Sequence, residues 1–229
     1  MKILFVIPTL FNDPNIVKEC VDSINKSLPD SANHTITVVC NTANDEFEKW
    51  SPPANVIKEC SNVKYNISRA INIGISKRTT EEYICYVDHG TRFREGWLTS
   101  ILELYQQHDN IGVIGNRKHS TFQYYHNQLS ENAWDVLWTD GIMFMTYDTF
   151  KLVGEFDESY FADCETQDFC YKLIEYHNRM NIAIDSKYLS HAYSPNSNID
   201  HRELFNVQEL SRNLFMSRWD DWRRSKYNK

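Results

Sequence analysis

Residues 156–173 read Phe-Asp-Glu-Ser-Tyr-Phe-Ala-Asp-Cys-Glu-Thr-Gln-Asp-Phe-Cys-Tyr-Lys-Leu. Five carboxylates stand there among aromatic and apolar residues: Asp157, Glu158, Asp163, Glu165 and Asp168. A purely solvated acidic face rarely carries so many rings. Carboxylates half-buried beside rings are where a pKa can be tuned and a proton accepted. Glu165 and Asp168 are one helical turn apart, so a helix would hold them near one face. A salt-bridged structural role for one of the two is the plainer alternative.

The elements that must position these residues follow from periodicity. Lys2–Ile7, Thr35–Cys40, Asn55–Glu59 and Glu82–Val87 are short apolar runs that read as strands. Between them, residues 15–27 and 67–75 repeat apolar positions at helical spacing. Alternating strand and helix argues a parallel sheet of Rossmann-like winding. Ligands in such sheets bind beyond the carboxyl ends of the strands. Pro8-Thr9, Asn41-Thr42 and Asp88-His89-Gly90 stand at those ends. Further along, 97–107 reads as a helix, 111–115 as a strand and 117–134 as an irregular loop or flap. Residues 135–145 are strand-like, 147–153 a short helix, about 164–177 a helix carrying the acidic residues, and 181–184 a strand. Residues 41–53 and 191–201 are polar loops, and 203–222 is a final helix. That helix is expected to pack on the sheet; its alternative is contact with a partner or an anionic membrane surface.

Bulk properties narrow the class. The chain has 229 residues, 41% hydrophobic, which suits one domain with a sizeable core. A net charge of −7 argues against a general nucleic-acid binder. The seven glycines form neither a dinucleotide fingerprint nor a P-loop. Six scattered cysteines without a CxxC pair read as buried free thiols in a reducing cytosol. No apolar stretch reaches the 18 residues or so of a transmembrane helix.

Joint order and spacing carry a resemblance from residue 2 to about 195. Gly154-Glu155-Phe156-Asp157-Glu158, closed by Glu165-Thr166-Gln167-Asp168-Phe169, resembles the acceptor-side motif of nucleotide-sugar glycosyltransferases. Pro8-Thr9-Leu10-Phe11-Asn12 resembles their Pro-x-x-Tyr-Asn element. Val38–Asp45 is similar to Val-Val-Asp-Asn-Gly-Ser-x-Asp, with Cys40 at the base-reading aspartate. Asn66–Ile75 is similar to their Gly-x-x-x-Ala-x-Asn-x-Gly helix. Tyr83–Asp88 with Thr91-Arg92-Phe93 and Gly96-Trp97-Leu98 matches the flanks of their Asp-x-Asp, with Gly90 at its third position. The family is glycosyltransferase family 2 and its relatives, of GT-A fold.

The resemblance implies one α/β domain over 1–229, with a mixed, mostly parallel sheet flanked by helices. Residues 1–115 would be the nucleotide-sugar-binding half, 116–200 the acceptor and catalytic half, and 201–229 a C-terminal helix. It implies inverting transfer of a sugar from a nucleoside-diphosphate sugar to an acceptor hydroxyl, of a glycan or otherwise. Donor contacts would be Pro8, Thr9, Phe11, Asn41, Arg69, Asn72 and Asp88. Acceptor contacts would be Trp138 and Asp140. Asp88, His89 and His191 would hold Mn²⁺ or Mg²⁺. The family's usual base position is Thr166 here, which leaves Glu165 favoured as base, with Asp168 as base or acceptor anchor. The departures at Gly90 and Thr166 motivate the rival reading, a catalytically degenerate nucleotide-sugar- or glycan-binding domain.

Overall fold

The structure is a computed structural model that describes residues 1–10, 13–42, 44–116, 125–185, 187–192 and 200–227. The first strand, β1 (Lys2–Thr9), is followed by α1 (Pro14–Ser27), whose N-cap Asp13 accepts from the Asn15 amide, with Pro14 at the first position. Next come β2 (Asn33–Cys40), α2 (Asp45–Lys49), β3 (Val56–Cys60) and α3 (Ile67–Ser76). Asn66 caps α3 by accepting from the Arg69 amide at 2.8 Å. Then follow β4 (Tyr83–Val87), β5 (Thr91–Phe93), α4 (Trp97–Gln107), β6 (Ile111–Asn116), β7 (Tyr125–Ser130), β8 (Ala133–Val136), β9 (Asp140–Thr146) and α5 (Tyr147–Val153). The chain continues through α6 (Glu165–His177), β10 (Met180–Ile184), β11 (Leu189–His191) and α7 (His201–Tyr227).

Nine strands form one sheet in the order β3-β2-β1-β4-β9-β6-β10-β8-β7. Strands β9 and β8 run against the rest, so the sheet is mixed and mostly parallel. The pleat of β1 splits the core. Ile3, Phe5 and Ile7 face the layer that also holds Val21, Trp97 and Ile101. Leu4 and Val6 face the layer of Ile71, Phe156, Phe169 and Leu173. Helix α3 comes so close to β1 that a Cβ on Gly74 would stand 2.3 Å from Val6 Cγ1. All six cysteines are free and only Cys60 is not buried.

Three expectations need correction. Within the expected loop 117–134, residues 125–130 and 133–134 are strand: they belong to the antiparallel hairpin β7–β8, at one edge of the sheet, whose last two residues fall in the strand-like stretch expected from 135. Within the expected loop 41–53, Asn44 accepts from the Phe47 amide and starts the short helix α2, anchored by buried Phe47. Helix α7 packs on α6 rather than straight onto the sheet: Phe215 and Trp219 lie against Tyr171, ring centroids 5.2 and 5.6 Å apart.

Strands β1, β2, β4 and β6 end on one edge, where β9 begins; the pairs Thr9↔Cys40, Val87↔Ile142 and Asn116↔Asp140 mark it. That edge is where this class of sheet takes its ligands.

Candidate active site

Asp88 leaves β4 at this edge, its amide donating to the Gly141 carbonyl at 2.8 Å. The carboxylate turns back to accept from the Gly90 amide at 3.0 Å. Strand β11 then pairs antiparallel with β5, setting His191 opposite Thr91 and carrying the imidazole onto Asp88. His191 Nε2 stands 3.2 Å from Asp88 Oδ1, and His89 Nδ1 stands 3.6 Å from the same oxygen. Burial pushes the Asp88 pKa up, but the His191 hydrogen bond, the two imidazoles' charge and the Gly90 amide outweigh it. The carboxyl is held well below the usual carboxylate range. Burial lowers the His89 pKa, and the Asp88 charge offsets this only in part.

The glycine at position 90 has a local cause. A Cβ there would meet the Ala192 carbonyl oxygen at 2.5 Å and the His191 ring at 2.6 Å. The His191 ring fills the space a second carboxylate would need. Among the described residues no group of three or more His, Cys, Asp or Glu could hold a metal ion. Asp88 Oδ1 and His191 Nε2 are nevertheless close enough to serve one cation, and a carboxylate with an imidazole suits a divalent ion of the Mn²⁺ type.

The acidic segment supplies the other wall. Cys164 takes a left-handed backbone, φ 70°, and turns the chain into α6 with Glu165 as the first helical residue. Such a φ is uncommon outside glycine. Asp163 supports the bend by accepting from the Cys164 amide at 2.9 Å, and Arg212 Nε holds Asp163 at 2.6 Å. Glu165 and Thr166 are both buried.

One cavity of about 530 Å³ brings Asp88, His191, Glu165 and Trp138 together, from segments up to about a hundred residues apart in sequence. Other expected residues lie elsewhere. Pro8 and Thr9 close β1, and the Thr9 carbonyl accepts from the Asn41 amide at 2.8 Å. The Asn41 side-chain NH₂ donates to the Val63 and Asn66 carbonyls at 3.1 and 2.9 Å. Asn72 clasps Phe156, donating to its carbonyl and accepting from its amide, both at 2.9 Å. Arg69 pairs with Glu158 at 3.4 Å. Asp168 is buried and accepts from Trp219 Nε1 at 2.8 Å and the Tyr160 hydroxyl at 3.1 Å, with Lys172 Nζ at 2.7 Å. Phe11 and the Asp140 side chain lie outside the described residues.

Sequence reasoning did not single out Asn116, Gln167 or Gln208, which also line the cavity. Nor did it see that arginines of α7 serve the acidic segment: Arg218 pairs with Asp157 as Arg212 does with Asp163. The spacing 212, 218, 219 on one helix was the available signal.

The sheet order, with the site at its strand ends, is that of the GT-A fold. The sequence matches Glycosyl transferase family 2 over residues 5–162, and the chain belongs to that family. Solved structures of the same fold include S. aureus TarS 1–349, 17% identical with a TM-score of 0.63, the match covering 95% of this chain and 72% of that one. The same TarS fragment in complex with UDP gives 17% and 0.62, with the same coverage. GalNAc-T7 with UDP, GalNAc and Mn²⁺ is 13% identical with a TM-score of 0.68, over 92% of this chain and 48% of that one. This chain thus spans about half of GalNAc-T7. No curated protein matches it in sequence. Among the described residues, no helix is long and apolar enough to cross a membrane.

Proposed function

We propose that the chain transfers a sugar from a nucleoside-diphosphate sugar to the hydroxyl of a glycan acceptor, with inversion at the anomeric carbon. The observation that carries this is the shared cavity, with Asp88 and His191 on one wall and Glu165 and Trp138 on the other. In this reading Glu165 takes the proton of the attacking hydroxyl. The new bond to the anomeric carbon forms as its bond to the diphosphate oxygen breaks. Trp138 offers a ring face to the acceptor sugar. Asp88 and His191 would hold a divalent cation, Mn²⁺ or Mg²⁺, which when bound neutralises charge on the diphosphate. Asp168 already carries Lys172, Trp219 and Tyr160, which supports a scaffold role, and Glu165 is favoured as the base because it lines the cavity, which Asp168 does not. UDP is the first donor nucleotide to try, because TarS and GalNAc-T7 were both solved with it.

Calorimetry with UDP, GDP and dTDP, each with Mn²⁺, tests the donor half; binding of none of the three would defeat it. Glu165→Gln tests the chemistry. It keeps the shape and removes the proton acceptor, so transfer should fall about 10²–10⁴-fold with nucleotide affinity unchanged. The buried Thr166 at the family's base position favours the rival, a non-catalytic binding domain. Donor hydrolysis by the wild type, absent in Glu165→Gln, would exclude that rival.

A further inference from the structure

A second cavity, of about 330 Å³, opens from the first. The two share Trp138, Asp163, Cys164 and Gln167 as a common wall. Beyond that wall the groove runs between α6 and α7. Gln167 and Tyr171, four residues apart, give one side; Arg212, Phe215 and Met216 give the other. Apart from Trp138, all of these lie beyond the segment matched by the family, in the C-terminal part of the chain.

We infer that this groove is a second sugar subsite, which holds the next unit of an extended, neutral acceptor glycan while its terminal sugar lies beside Glu165. The inference rests on the transferase reading of the main cavity. Three observations carry it. First, the groove is continuous with the acceptor side, through Trp138 and Gln167, and not with the Asp88–His191 side. Second, the Oε1 atom of Gln167, at the junction, is buried with no hydrogen-bond partner among the described residues. A buried amide oxygen without a donor is costly, and turning the half-buried amide into the groove would let a sugar hydroxyl satisfy it. Third, each cation of the groove already has its carboxylate. Arg212 holds Asp163 at 2.6 Å and Arg223 holds Asp220 at 2.8 Å. Arg224, the other cation on Asp220, is exposed and does not line the groove. A phosphate or uronate would find each lining arginine already on a carboxylate, whereas a neutral pyranose finds the partly exposed Trp138 ring, the exposed Met216 and one acceptor. A groove of this size lies within the range of small-ligand sites.

The test uses the full chain on an array of neutral mono- to tetrasaccharides, with sulfated and phosphorylated glycans alongside. Retained glycans are then titrated by calorimetry, with UDP titrated in the same preparation. The expected result is a Kd at least about ten-fold lower for a neutral di- or trisaccharide than for its terminal monosaccharide. Gln167→Leu should erase most of that advantage. Met216→Trp, at a part-exposed position where a fold defect is not expected, should erase it by filling the groove. UDP bound with no gain from chain length, or a gain confined to sulfated or phosphorylated glycans, overturns the subsite and leaves the transferase reading standing. No UDP bound overturns the reading on which it rests. A length gain that survives both substitutions places the second sugar elsewhere and also overturns it.

Discussion

The two walls of the cavity are held by different means. On the strand-end wall, β-ladders and amides do the work: Asp88 by the Gly141 carbonyl and Gly90 amide, His191 by the β5–β11 pairing. On the acidic wall, side chains from a distant helix do it: Asp157 to Arg218, Asp163 to Arg212, Asp168 to Trp219. The first kind of support is local to the sheet and, apart from β11, lies within the family-matched segment. The second comes from α7, beyond the matched segment. The comparison teaches that the acidic wall can be loosened from α7 without touching the sheet.

Asn72→Leu should cut deepest, because it removes the two-bond clasp that, beside the bonds of Asn66 and Ser68, ties the acidic segment to α3. It strips the Phe156 amide and carbonyl of both partners in a buried place. Each buried group left unsatisfied costs about 1–3 kcal/mol, so for the two a loss of roughly 2–6 kcal/mol is expected from chemical denaturation. If the loss is small and UDP affinity falls instead, Asn72 serves the donor directly and the contrast between the walls fails.

Gly90→Asp attacks the strand-end wall. Restoring a carboxylate there should not improve metal-dependent UDP binding. The new Cβ would crowd the His191 ring and the Ala192 carbonyl, displacing β11 at about 1–3 kcal/mol. A lower Tm with weaker UDP binding is expected; tighter binding would show that His191 yields easily.

Trp219→Phe removes one hydrogen bond to the buried Asp168 and keeps most of the packing against Tyr171. A loss of about 1.5–3 kcal/mol is expected, read by urea midpoint, with UDP affinity intact. Arg218→Ala should do least, under about 1 kcal/mol, because the pair with Asp157 is partly exposed. Its pH dependence is the sharper measurement. Burial raises the Asp157 pKa, but Arg218 and the Ser159 amide hold it down at about 2. A depressed carboxylate contributes stability above its unfolded value near 3.9 and loses it as pH falls through the folded value. The difference between wild type and Arg218→Ala should therefore be constant above about pH 4 and vanish toward pH 2.

Much of the fold was legible because its signals are local. The apolar run at β1 and the spacing of α4 and α5 need no tertiary information; 97–107 and 147–153 are the observed helices. The β7–β8 hairpin was not legible, since Ala133-Trp134-Asp135-Val136 is short and gains its meaning only by pairing with β10. At the site, strand-end placement pointed to Asp88, and motif order to Glu165, Trp138 and His191, which one cavity gathers. The salt-bridged role expected for Glu165 or Asp168 is met at Asp168 by Lys172, four residues on; the engagements of Arg69, of Asn72, and of Asp168 with Trp219 were not legible. Their partners lie 89, 84 and 51 residues away, and a polar side chain's type does not say whether it meets a backbone group or a ligand.

Helix α7 also acts as a gauge of rotation. Ser211, Arg212, Phe215, Arg218, Trp219 and Trp222 reach Phe161, Asp163, Tyr171, Asp157, Asp168 and Glu175 from one continuous helix. Each added residue turns a helix by about 100° and lengthens it by about 1.5 Å. One residue inserted after Asn213 would leave Ser211 and Arg212 in place and swing every later partner off its target together. Point substitution can wear the acidic wall away contact by contact, but insertion or deletion there acts all at once, so the length of that helix is under tighter constraint than the identity of any single residue on it.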